Sequence, residues 1–397
     1  MKEQLKQIIC EAIDSKKDEL NNISQEIWKN PELSFEEFKA HNFLTEFLEK
    51  EGFSVSRKTP LETSFIAKYG DCTRGIKVGV ICEYDALPGV GHACGHNLIA
   101  EAGIGAALGL KAAMDSNKDL KMNLIVYGTP AEEGGNGKCL MIEKGVFDEA
   151  DICMMSHPAP YEIPNPLWLA IDSYRVIFKG KTAHAAAAPW EGINALDAAV
   201  ACYNNVSMLR QQMKPTNRIQ CTIVDGGERP NIIPERAEMV WDLRTQKDED
   251  LTILLKQWME CAKGAAKSTG CEVEFIKDCL TCLSLNTNQV MIDLYMENAK
   301  SLGVPFEDDH MRELLQASTD MGNVSAMKPS IHPCFKIKSE ETNHNHGFTK
   351  AAGSEESQLP TLNSAKSMAM TAIDIVCEEG LLEKVQKSFE DSKPSAL

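Results

Sequence analysis

The 397-residue chain has no excess of basic residues: 41 Lys and Arg stand against 58 Asp and Glu, a net charge of −17 at pH 7. Nucleic acid and anionic membrane surfaces attract basic patches, so neither is expected as a partner. No apolar run reaches the roughly 18–20 residues that cross a bilayer. The opening stretch, MKEQLKQIICEAIDSKK, interleaves charges with apolar positions. It therefore has no secretory h-region, and the expected location is cytoplasmic. Fourteen cysteines are too few for a small disulfide scaffold and are expected to be reduced and mostly buried. Internal repeats and low-complexity tracts are also missing. What is present is ordinary globular composition, 43% hydrophobic and 25% charged, in a chain long enough for two domains or one elaborated one.

Leu5, Ile8, Ile9 and Ile13 recur at helical spacing, and a second helical pattern runs from about Phe35 to Glu51. Ser64–Ala67, Val78–Cys82, Leu124–Tyr127 and Ile152–Met155 read as strands, and Asn97–Met114 as a buried helix. Alternating strands and helices predict an α/β unit with a mainly parallel sheet. The character changes near Pro164–Pro166. Strands at Ser173–Lys179, Arg218–Asp225, Ala237–Arg244 and Cys271–Ile276 alternate with helices near Gly192–Met213 and Asp248–Ser268. That order predicts a four-stranded, two-helix α+β unit of ferredoxin-like or split type. Helix then returns at Asn286–Leu302, strand at Cys334–Ile337, and a last helix is expected at about Leu362–Cys377, before a polar tail that frays after about Glu390. The expected organisation is a larger domain, 1–170 with 284–397, and a smaller one, 171–283, inserted into it.

Four segments could carry chemistry. Glu83-Tyr84-Asp85-Ala86-Leu87-Pro88 follows a predicted strand and leads to Gly91-His92-Ala93-Cys94-Gly95-His96-Asn97. Open α/β sheets bind ligands beyond such strand ends. Cys94 and His96, two apart in an extended loop, face one point and suit a metal; a nucleophilic Cys–His pair and an isolated cysteine beside a histidine stay open. Glu132-Glu133, in the turn Gly128–Gly135, are either a solvated pair or a ligand beside a general base. His157 is expected to end a buried strand, and Asn343-His344-Asn345-His346 places two histidines in one loop. Together, Cys94, His96, Glu133, His157 and one late histidine are too many for one tetrahedral site and about right for two metals sharing a bridging group. In the smaller unit His184, Asn231 and Arg244 would polarise a carbonyl or bind a carboxylate, or else be a turn histidine and a surface ion pair.

The segments ICEYDALPGVGHACGHNLIA, GTPAEEGG, SHPAP, GKTAHAAAAPWEGINALDA, GGERPNIIP and STDMGNVS, in this order, resemble the aminoacylase and amidohydrolase branch of the dinuclear metallopeptidase family that includes glutamate carboxypeptidase. The resemblance runs from Pro31-Glu32-Leu33-Ser34 to Ala351-Ala352-Gly353. It implies a catalytic α/β domain with an inserted lid domain that forms a homodimer. It implies two divalent ions per subunit, zinc or manganese, held by Cys94 as bridging thiolate and by His96, Glu133, His157 and His344. It implies Glu132 as general base, His184 as the lid group that steadies the tetrahedral intermediate in the partner subunit's site, and Asn231 and Arg244 as substrate contacts. His346 falls outside the pattern. Other branches carry a His-x-Asp motif where this chain has Glu83-Tyr84-Asp85; here His96 takes over the ligand role and Asp85 orients a ligand. The implied activity is hydrolysis of the amide bond of a dipeptide or an N-acyl or N-aroyl amino acid. The alternatives are a deacylase rather than a dipeptidase, and a non-catalytic partner subunit, which the presence of Glu132, Cys94 and His96 argues against. The acidic surface favours a basic dipeptide.

Overall fold

The computed structural model describes residues 1–71, 75–307 and 316–393. They fall into two compact units, Met1–Leu167 with Leu285–Leu397, and Trp168–Ser284.

The first unit is built on a six-stranded sheet in the order Ser54–Arg57, Phe65–Tyr69, Met122–Thr129, Ile76–Glu83, Ile152–Met154, Ser330–Ile331. The last four strands are parallel to one another; Phe65–Tyr69 pairs antiparallel with both Ser54–Arg57 and Met122–Thr129. Side chains alternate across a strand. Val78, Val80 and Cys82 enter one core with helices Lys2–Ser15, His96–Ser116 and Gln358–Cys377. Ile81, Ile125 and Tyr127 enter a second core with helices Gly137–Glu143 and Met321–Met327. Both faces of the sheet are therefore covered, which is why its strands read as continuous apolar runs. Helix His96–Ser116 is buried over almost its whole circumference, and its sequence carries few charges for the same reason.

Several elements differ from the sequence-based expectation. Helix Gln358–Cys377 is not the last; Leu381–Ser392 follows it after Gly380. Its Leu381, Val385 and Phe389 are buried, about 1.5–3 kcal/mol each, and dock a segment too short to be stable alone. The expected fraying after Glu390 is thus not seen up to Ser392, and residues 394–397 lie outside the described residues. The edge strand Ser54–Arg57 and the helix Lys17–Lys29 were not anticipated. No disulfide is formed among the described cysteines.

The second unit is a four-stranded antiparallel sheet in the order Glu272–Lys277, Ala170–Lys179, Arg236–Thr245, Arg218–Asp225. In order of sequence that is 4-1-3-2, the ferredoxin-like arrangement. Helices Ala195–Leu209 and Asp248–Thr269 pack on it through Cys202, Val206, Leu254 and Trp258. Asn194 caps the first helix, its Oδ1 accepting the Leu196 and Asp197 amides.

Candidate metal centre

Strands Ile76–Glu83, Met122–Thr129 and Ile152–Met154 run parallel, so their C-terminal ends open at one edge. The chain leaving the first reaches Cys94, Gly95 and His96. These are not an extended loop, as the spacing suggested: His96 is the first residue of helix His96–Ser116, and Gly95 caps it in the left-handed region at φ 81°. A Cβ on Gly95 would stand 2.5 Å from Pro158 Cγ, so glycine alone fits the conformation and the close approach. Asp85 accepts from His96 Nδ1 at 3.0 Å and from the Glu133 amide at 3.0 Å. The Nδ1 proton is therefore committed to Asp85, and Nε2 is the nitrogen left towards the space beyond the strand ends. Against the pull of burial, Asp85 and Cys94 raise the His96 imidazole well above its usual range.

Glu132 and Glu133 sit in a turn entered at Ala131, φ 59°, and left at Asn136, φ 54°. Glu37 braces the entrance: its Oε1 accepts the Ala131 amide at 2.9 Å and its Oε2 the Thr63 hydroxyl at 2.7 Å. Burial raises the Glu37 carboxyl to about 7. The turn brings Glu132 Oε2 and Glu133 Oε1 each to 3.8 Å from His96 Nε2.

His157 does not end the strand Ile152–Met154. It begins a separate short strand, His157–Ala159, parallel to Cys334–Lys336. Its Nδ1 donates to Pro158 O at 2.8 Å and its Nε2 stands 3.4 Å from Cys94 Sγ. His344 lies in a loop clamped by Asn343, whose amide donates to Cys94 O (3.3 Å) and Pro158 O (3.2 Å), and by its own amide on Ala93 O (2.8 Å). Its Nε2 is 3.5 Å from Glu133 Oε1. His346, by contrast, opens the helix His346–Ala352.

The donor atoms fall within 4.8 Å of one another in three overlapping sets: Cys94, His96 and His157; Cys94, Glu133 and His344; His96, Glu132 and Glu133. His96 Nε2 and Glu133 Oε1 are buried without a hydrogen-bond partner. Such groups cost free energy unless a cation or water completes them. Burial and the neighbouring carboxylates Glu83 and Glu133 push Glu132 well above the usual range. Burial, then Glu133, does the same to the Cys94 thiol. Burial and the nearby His96 lower His157 to about 4, so its imidazole is neutral. Thiolate, imidazole and carboxylate donors in an anion-rich cluster, buried at Cys94, His96 and His157 and open at His344, fit divalent cations.

The neighbours of this cluster include residues to which sequence reasoning gave no role. Lys138 is fully buried, its Nζ on Glu83 Oε1 and, at 2.7 Å, on Asp320 Oδ1. His332 is buried beside His157, ring centroids 5.6 Å apart, with Nδ1 3.3 Å from Met155 O. Asp320 lies in the STDMGNVS segment and Glu83 directly before Tyr84-Asp85, so the sequence motifs already contain both. A lone Lys138 before Cys139-Leu140-Met141 carries no signal of burial.

In the inserted unit, His184 is exposed. Its Nδ1 accepts the Ala186 and Ala187 amides at 3.2 and 3.1 Å, which leaves Nε2 as the nitrogen that carries the proton. Asn231 is beside it: Asn231 O accepts the Ala185 amide at 3.0 Å, and His184 bridges to Ile232. Arg244 is not gathered with them. It lies eight residues beyond Arg236, where the strand Arg236–Thr245 starts near the Asn231 turn, roughly 26 Å at about 3.3 Å per residue. Its Nη2 donates to Asp242 Oδ2 at 3.3 Å.

An α/β unit with sulfur, nitrogen and carboxylate donors at its strand ends, interrupted in sequence by a ferredoxin-like unit, is suited to metal-assisted hydrolysis. Residues 170–270 match the peptidase dimerisation domain of the M20 peptidases. The Xaa-Arg dipeptidase of Mus musculus is 43% identical over 98% of this chain and 93% of its own length. One of the p-aminobenzoyl-glutamate hydrolase polypeptides of Escherichia coli is 27% identical over 99% and 97%. A Bacillus subtilis crystal structure described as a dinuclear metal-binding M20 peptidase shares the fold, with a TM-score of 0.71 at 23% identity over 91% of this chain and 99% of that one. The chain belongs to the M20 peptidase family and is a hydrolase of amide or peptide bonds. Among the described residues, no helix is long and apolar enough to cross a membrane.

Proposed function

We propose that the protein hydrolyses dipeptides with a basic C-terminal residue, using two divalent ions held by Cys94, His96, Glu133, His157 and His344. The observation that carries this reading is the convergence of those five donors around Glu132, with Cys94 common to the His96–His157 and Glu133–His344 sets. Cys94 would then offer its sulfur to both sets. When bound, the ions acidify a water and polarise the amide carbonyl. Glu132, not needed as a ligand, accepts the proton of that water and returns it to the leaving amine. Its buried, carboxylate-lined setting raises its basicity towards that role. Asp85 keeps His96 in the tautomer that offers Nε2, and Pro158 O does so for His157. His184, its proton fixed on Nε2 by two backbone amides, donates to the developing oxyanion of a partner subunit's substrate.

Homodimerisation through the inserted unit is supported by its free sheet edge. The strand Arg218–Asp225 ends the sheet, and Val224 (52% exposed), Tyr203 (44%) and Met208 (67%) leave apolar surface on that strand and on helix Ala195–Leu209. A basic substrate is favoured by the relative's name, Xaa-Arg dipeptidase, and by the net charge of −17, which draws cations towards the surface. The ions are zinc by the leaning of the thiolate, or manganese by that of the carboxylates, and the compartment is the cytoplasm. Purified protein reconstituted with each metal and offered Xaa-Arg and Xaa-Lys dipeptides, N-acyl amino acids and p-aminobenzoyl-glutamate tests the reading. Turnover is expected on the basic dipeptides; turnover confined to the acyl or aroyl substrates would make it a deacylase.

A further inference from the structure

We propose that Glu83 is a sixth protein donor to the ion pair, presented by a buried charge network with Lys138 and Asp320. The inference rests on the two-ion reading above. Glu83 ends the strand Ile76–Glu83 and is 1% exposed. Its Oε1 accepts from Lys138 Nζ, while Oε2 is buried with no hydrogen-bond partner. That Oε2 stands 3.6 Å from His96 Nε2, which likewise has none. It is nearer to this nitrogen than either Glu132 Oε2 or Glu133 Oε1, each at 3.8 Å. Donors that share an ion through bonds of about 2.0–2.2 Å lie about 3–4 Å apart.

The hydrogen bonding points the same way. Lys138 lies between two buried carboxylates, Glu83 and Asp320. Asp320 spends both oxygens on Lys138, Oδ1 on the ammonium and Oδ2 on the backbone amide at 2.8 Å. The oxygen with nothing to accept from is therefore Glu83 Oε2, on the side facing His96. Asp85, two residues on, is the contrasting case: His96 Nδ1 and the Glu133 amide occupy its two oxygens, so it orients donors and is not one. Lys138 and Asp320 are positioning residues, holding the Glu83 carboxylate so that one oxygen is offered.

The test is titration of chelator-stripped wild type and Glu83→Gln with Co2+, followed by calorimetry and by visible absorption, with circular dichroism to confirm folding. Wild type is expected to take two Co2+. Glu83→Gln should bind one of them at least about tenfold more weakly and show a changed ligand-field band. Equal affinities and a superimposable spectrum would overturn the assignment of Glu83 while leaving the two-ion reading intact. Fewer than two Co2+ in wild type would instead overturn the reading it rests on. Should Glu83→Gln not fold, Glu83→Asp keeps a carboxylate for Lys138 and withdraws the offered oxygen by one methylene. It must show the same weakening, and unaltered binding would refute the proposal.

Discussion

Removing the Lys138 ammonium tests whether the charges behind the donors are held as the geometry implies. In Lys138→Met the side-chain volume is nearly kept, but Glu83 and Asp320 lose their shared counter-charge at sites 1% and 0% exposed. Breaking a buried ion pair from one side costs about 3–5 kcal/mol, because the partner is left charged in a poorly solvating interior. Here two partners are left. For a unit of 280 residues each kcal/mol moves Tm by about 1.7 °C, so a fall of roughly 5–9 °C is expected in scanning calorimetry of the metal-free protein. Metal-free conditions matter, since bound ions would replace part of the lost charge. The triple variant Lys138→Met, Glu83→Gln, Asp320→Asn removes all three charges and should recover most of the loss. A Lys138→Met protein melting within about 2 °C of wild type would show that the ammonium is solvated, and the network argument would fail.

Glu132→Gln and His184→Ala should each lose at least about 100-fold in kcat while both ions are retained. Co-refolding the two inactive variants should restore activity, because the hybrid dimer assembles one site with Glu132 from one chain and His184 from the other; no recovery would place His184 in its own subunit's site. Cys94→Ala should lose at least one ion, measured by elemental analysis, and bound metal should protect the Cys94 thiol of wild type from alkylation. Glu101, buried in helix His96–Ser116, has its carboxyl raised to about 8 by burial. Between pH 4.5 and 8 the folded chain holds a proton there that the unfolded chain releases, so this group's contribution to stability falls as pH rises through that window. In metal-free melts, Glu101→Gln should flatten the decline between pH 6 and pH 9 and raise Tm at pH 9; an unchanged slope would put the burden on another group.

Most of the architecture was legible because both faces of the sheet are buried, so Val78–Cys82 and Leu124–Tyr127 stand out as apolar runs. Strand Ser54–Arg57 was not, being a short, mostly polar edge with only one half-buried face, on which Val55 packs against the core. Helix Leu381–Ser392 hid behind Gly380 because three buried side chains, not composition, hold it. At the candidate site, residue types and order singled out Cys94, His96, Glu132, Glu133, His157 and His344, whose donor atoms the fold brings together in overlapping sets. The local conformation was misjudged where a left-handed Gly95 converts a loop spacing into a helix start. Glu37 and Lys138 escaped because their importance comes from partners distant in sequence: Ala131 for Glu37, 94 residues away, and Asp320 for Lys138, 182 residues away. Arg244 follows Asn231 in sequence, and the strand Arg236–Thr245 carries it along the sheet away from that turn.

The proposed function stands on two ions activating the water whose proton Glu132 would accept. Its most direct measurement is hydrolysis of an Xaa-Arg dipeptide by chelator-stripped protein as zinc or manganese is added in known molar ratio, with bound metal counted in the same samples. The predicted result is no turnover without metal and full activity reached at two ions per chain. Turnover by the stripped protein, or full activity at one ion per chain, would contradict it.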